Sequence, residues 1–288
     1  RDHVQIMEIL TAYIRENAKA KDLAPLVPEL DPLPDDATPE ARAAHVEAVT
    51  ERAARIEHAA RTLQADTVIQ AAIQVIARRK DPQKDKEKAD TRYGPEGYRL
   101  DLRGTNLRAV DISGLDLSRA RLDGAHLEGA LLTGAHLEAS DLNAAHLEGA
   151  HLSGAHLEGA HLDGAHLEGA RLILAHLERA RLTGARLAGA ILAKTHLEGA
   201  RIAEAHLEGA NFRFAIVQYA AVKSCNLLKT NLDQDQLNAT FGDGSMTDAM
   251  LPRGVTRPAH WPVKDLHRIS FESEWEKWKA DPEGYVPP

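Results

Sequence analysis

Ala145-His146-Leu147-Glu148-Gly149, Ala150-His151-Leu152-Ser153-Gly154 and Ala155-His156-Leu157-Glu158-Gly159 are three consecutive copies of one five-residue unit. The period extends in both directions. From Leu102 to Leu237 an aliphatic or aromatic residue stands at every fifth position, which makes 28 units. Two residues before each centre the side chain is usually small, as at Ala120, Ala125, Ala130 and Cys225; two after it Gly is frequent, as at Gly124, Gly129 and Gly134. A helix needs apolar spacings of three and four, and a strand needs alternation. A strict five fits neither, and signals an array in which each unit buries its face only by stacking on its neighbours.

The unit, small–polar–Leu–polar–Gly, resembles that of the bacterial pentapeptide-repeat proteins, here behind an N-terminal helical segment. The tail Leu251-Pro252-Arg253-Gly254 with Arg257-Pro258-Ala259-His260-Trp261 resembles the closing segment of many members. The resemblance implies a mainly β solenoid: a right-handed quadrilateral β-helix of about seven coils, four pentapeptides to a coil, with an α-helical N-terminal region and a short C-terminal helix. Residues twenty apart would then sit above one another, as in the column Leu107, Leu127, Leu147, Leu167, Leu187, Leu207, Leu227. Cys225 falls in a small inward slot and reads as a buried small hydrophobe.

The expected organisation is a helical region over 1–80, a charged linker and entry over 81–97, the repeats over 98–240, and a C-terminal segment with a capping or dimerisation helix over 241–288. Asp2, the Thr38-Pro39-Glu40 run and Asp66 read as helix starts, the first with the stripe Ile6, Met7, Leu10, Ile14 and the last with the stripe Ile69, Ile73, Ile76. The 288 residues carry a net charge of −8 and 4% aromatics, which suits a leucine-filled bore with no room for rings. One Cys permits no internal disulfide, and no stretch approaches the ~20 apolar residues of a membrane span. The expected location is cytoplasmic. The chain starts at Arg1, so it reads as a fragment or processed product. Family members often carry upstream membrane helices, which leaves open an inner-membrane anchor on the full-length protein.

No phosphate loop, nucleophile elbow or zinc-protease motif is present, so neither catalysis nor a cofactor is expected. The repeats carry 17 Asp and Glu against 14 Lys and Arg, too balanced for the basic stripe of a nucleic-acid binder. The function expected is a non-enzymatic rigid scaffold for protein–protein interaction. The alternative, by family analogy, is a DNA-mimicking modulator of a type II topoisomerase (gyrase). The candidate interface is an apolar cluster on one face, Leu131, Ile173, Leu174, Ile191 and Phe214, with the C-terminal stripe Phe271, Trp275 and Trp278. That stripe reads first as a cap, and as a homodimer contact second. Ten of the 15 His lie in the repeats. Twenty-residue stacking sorts most of them into two ladders, His126, His146, His166, His206 and His136, His156, His176, His196, each beside Glu residues two positions on. A ladder on a solvated face offers a metal neither closure nor burial, so no metal site is expected. Zinc dialysis tests the contrary reading.

Overall fold

In the computed structural model the described residues are 2–19, 38, 40–41, 44–45, 47–48, 51–52, 55, 67–77, 85, 87, 89, 97–247 and 250–288. Helix α1 spans Asp2–Asn17 and α2 spans Thr67–Ala77. The buried stripe of α1 is Val4, Met7, Thr11 and Ile14, at helical spacing, whereas Ile6 is half in solvent. In α2 Ile69, Ile73 and Ile76 are buried and Val68 and Val75 exposed. The two helices pack together and close the first coil of the repeats. Gln70 pairs its amide with the backbone of Asp111 at 2.6 and 2.8 Å, and Asn106 donates its N–H to Ala18 at 2.5 Å. Thr38 Oγ1 accepts from Ala41 N–H at 3.2 Å, as an N-cap should. The expected cap at Asp66 and most of the expected 81–97 linker lie outside the described residues.

Each pentapeptide in the repeat region has the same backbone course. In His146–Ala150, His146 forms single-residue parallel bridges to His126 and His166. Leu147 points into the core, Glu148 and Gly149 make a turn, and Ala150 returns to the core. Ala150 N–H closes the turn on Leu147 C=O at 3.0 Å. Leu147 N–H and Gly149 N–H donate to His166 and Glu168 carbonyls at 2.7 and 3.0 Å. These links between coils join residues nineteen or twenty apart, so four units complete one circuit. The interior is nearly pure Leu and Ala with exposures near zero.

The expected class, a mainly β quadrilateral β-helix, is corrected. Among the described residues no β-strand is present, and the regular elements with described bounds are all α-helices. The repeats contribute isolated bridges and turns. The physical cause is the corner position of the unit, two residues after the central Leu. Gly149, Gly159 and Gly169 have φ of 65–66°, and twelve non-glycine residues, Arg179 and Phe214 among them, share that left-handed region. A positive φ every five residues ends the extended backbone before two successive residues can join a ladder.

The other end is closed by the C-terminal segment. Helix α3, Gln234–Asn238, starts at a capping box of Asp233 and Gln236. Helix α4, Arg268–Ala280, lays Phe271, Trp275 and Trp278 on Ala221 and Phe241. Trp275 Nε1–H donates to Tyr219 C=O at 2.9 Å. Cys225 is buried and unpaired, and burial pushes its thiol up to about 12. Among the described residues no helix is long and apolar enough to cross a membrane.

Candidate metal centre

The bridging position carries His and the turn position two residues later carries Glu, so twenty-residue stacking builds columns of both. On one face, His136 stacks on His156, His156 on His176 and His176 on His196, with ring centroids 4.7–5.0 Å apart and planes within 17°. Each of the first three rings holds Nδ1 at 2.9–3.3 Å from Oε1 of its own Glu138, Glu158 or Glu178. That contact orients the imidazole. Side chains of both kinds in this open column are roughly one-third to one-half exposed.

The other column is covered. Glu128, Glu148 and Glu168 are 4%, 4% and 1% exposed, so the premise of a fully solvated ladder fails here. Each buried carboxylate has a different environment. Glu128 accepts from Arg108 at 2.7 Å and faces His126 Nδ1 at 3.0 Å. Burial raises its pKa, but the hydrogen bonds from His126 and Arg108 outweigh burial and hold it at about 2. Glu168 is raised to about 7, first by burial and then by the charge of Glu148, against the opposing pull of Arg186. Arg186 Nε lies 2.8 Å from Glu168 Oε1 without hydrogen-bond alignment, and neither oxygen of Glu168 accepts a hydrogen bond among the described residues.

Glu148 lies between these two. His146 Nδ1 and His166 Nδ1 stand 3.6 and 3.7 Å from the same Oε1, and their rings are tilted by 37° where the open column keeps its rings parallel. Arg52, itself 5% exposed, approaches that oxygen to 3.9 Å. Oε2 of Glu148 accepts no hydrogen bond among the described residues. Four triads therefore bring three ligand atoms within 4.8 Å of one another: His126–Glu128–His146, His146–Glu148–His166, His136–Glu138–His156 and His176–Glu178–His196. The repeat spacing foretold the columns. Arg52 was missed, because nothing in the pentapeptide period places a residue from outside it against a particular Glu; Arg108 was missed although it stands twenty residues before Glu128, a pairing the stacking rule contains.

The apolar candidates divide. Leu131, Leu174 and Phe214 are 38%, 51% and 65% exposed, and Ile173 and Ile191 are half-buried. Leu174 and Phe214 occupy the positive-φ corner position that suits glycine. Phe271, Trp275 and Trp278 are instead buried within this chain.

A family model described as pentapeptide repeats matches residues 101–138, 140–179, 180–217 and 190–227. That is less than half of the chain. No curated protein matches. Among solved structures, HetL from the cyanobacterium Nostoc sp. strain PCC 7120, a pentapeptide repeat protein involved in heterocyst differentiation regulation, is 24% identical over 58% of this chain and 85% of its own, at a TM-score of 0.35. A pentapeptide repeat protein of the Arabidopsis thaliana thylakoid lumen is 26% identical over 44% and 70%, at 0.27. QnrB1, a plasmid-mediated fluoroquinolone resistance protein, is 15% identical over 63% and 96%, at 0.26. Scores this low do not establish a common fold.

The expected assignment to a family of right-handed quadrilateral β-helices is corrected with the class, because no strand is present among the described residues. Both functional expectations rested on that architecture and fall with it. The rigid β-helical scaffold loses its basis. So does the DNA-mimicking modulator of gyrase, since the likeness to QnrB1 is too slight to carry it.

Proposed function

We propose that this chain binds divalent transition-metal ions along its His–Glu columns, as a binding protein and not as an enzyme. The observation that carries the reading is the recurrence of His–Glu–His triads whose ligand atoms lie within 4.8 Å. Nitrogen with carboxylate oxygen is the donor set of zinc, cobalt and nickel, not of calcium or magnesium, which take oxygen alone. Three of the triads share no residue: His146–Glu148–His166, His136–Glu138–His156 and His176–Glu178–His196. The fourth shares His146, and its Glu128 is already neutralised by Arg108. In the open column the parallel rings must tilt toward one another before two nitrogens can reach one ion, so binding there is weaker.

Equilibrium dialysis of chelator-treated protein against zinc tests the reading. Up to three ions per chain are expected, and His136→Ala with His176→Ala should remove the weaker ones. Zinc retention no greater than that of a protein without such triads would end the proposal.

A further inference from the structure

We infer that His146–Glu148–His166 is a closed, tight site for one zinc-like ion, and that Arg52 is the charge such an ion displaces. This rests on the metal-binding reading above and singles out one triad. Three observations separate it from the other three. First, it is the one in which both imidazole nitrogens face a single carboxylate oxygen at nearly equal distances, 3.6 and 3.7 Å. Those separations are too long for good hydrogen bonds. They are close to the roughly 3.3–3.6 Å between ligand atoms that share a tetrahedral ion at ~2.0–2.2 Å. Second, the rings have already left the parallel stack, at 37°, so little rearrangement is needed. Third, the buried Glu148 has beside it Glu168, the one carboxylate of the two columns that leaves both oxygens without a hydrogen bond among the described residues; an unanswered Oε2 by itself is common to the Glu of all four triads. Buried polar atoms without partners are rare, and each asks for a partner such as an ion.

Arg52 supplies the regulation. Its guanidinium is buried beside Glu148 at 3.9 Å, and its charge also reaches Glu168. Arg186 provides the second positive charge, 2.8 Å from Glu168 and carried by the repeat itself. The site thus holds two carboxylates and two guanidinium groups. An added divalent ion leaves a net positive charge around two buried carboxylates, where the guanidinium groups and the ion repel one another. Arg186 is fixed by the repeat itself, whereas Arg52 comes from outside it, so Arg52 leaves. By linkage, whatever weakens the docking of Arg52 must tighten the ion to the same degree. The helical residues 51–52 are therefore docked without the ion and released with it.

Cobalt(II) and zinc titrations of wild type, Glu148→Gln, Arg52→Gln and the control Glu158→Gln test this, with His166→Asn as a second way to remove the site should Glu148→Gln fold poorly. The expected result is one tight ion in wild type with the absorption of tetrahedral cobalt. Glu148→Gln and His166→Asn should weaken it at least 100-fold, Arg52→Gln should tighten it about tenfold, and Glu158→Gln should leave it unchanged. Limited proteolysis near residue 52 should speed up with zinc in wild type. Binding confined to weak sites, unchanged in Glu148→Gln and His166→Asn, would overturn the tight site while leaving metal binding itself standing. Equal affinity in wild type and Arg52→Gln would overturn the displacement. No binding in any variant would remove both this inference and the function it rests on.

Discussion

The two histidine columns share the core His-Leu-Glu in every unit that carries a His, and yet they are chemically unlike. In the open column Glu138, Glu158 and Glu178 each orient one imidazole and remain in contact with water. In the covered column Glu128, Glu148 and Glu168 are buried, and each meets a different cation: Arg108, Arg52 or Arg186. A repeat fixes which residues stack. It does not fix their dielectric surroundings, and the surroundings decide whether a carboxylate is a solubilising group, an ion-pair partner or a ligand.

The change with the largest expected effect breaks both columns at once. Leu167 is 1% exposed and lies between His166 and Glu168 in the shared core. Leu167→Asp would bury a carboxylate with no partner, at a cost of several kcal/mol. The chain should fail to melt cooperatively by circular dichroism, and an unchanged melting temperature would refute the inward leucine column.

Within the covered column, Glu128 carries the pH dependence. Its folded pKa, about 2, lies below the ordinary 4.5. Its contribution is therefore present above pH 4.5 and is lost as pH falls through about 2. The difference corresponds to about 3 kcal/mol at neutral pH. Glu128→Gln should be less stable than wild type at pH 7 in urea with chelator present, and the gap should close toward pH 2. A gap that stayed constant with pH would assign the effect to packing.

The corner position offers a smaller test. Gly159 has φ of 65° and open space where a Cβ would be. Gly159→Ala should thus cost only backbone strain, about 1–2 kcal/mol, and a loss far beyond that in a urea melt would mean that the added methyl meets something. Smallest of all, Glu158→Gln in the open column should move stability by less than about 0.5 kcal/mol. A larger shift would erase the contrast between the columns.

Much of this was legible in the residues. The period of five placed Leu107, Leu127 and Leu147 inside and stacked His136 on His156, because steric size alone decides what fits a narrow bore. The secondary-structure class was misread, since a pattern of inward side chains says nothing about whether successive residues share a ladder. The left-handed corners at Gly149 and Arg179 interrupt each extended segment. The burial of Glu148 was invisible for another reason. Arg52, which lies against it, is more than ninety residues away in sequence and in a region with no period to read.

The most direct measurement is the cobalt(II) spectrum of the chelator-treated chain beside that of Glu148→Gln. Intense tetrahedral absorption at one equivalent in the wild type, absent from the variant, is what the account predicts. Identical weak, octahedral spectra from the two proteins would contradict it.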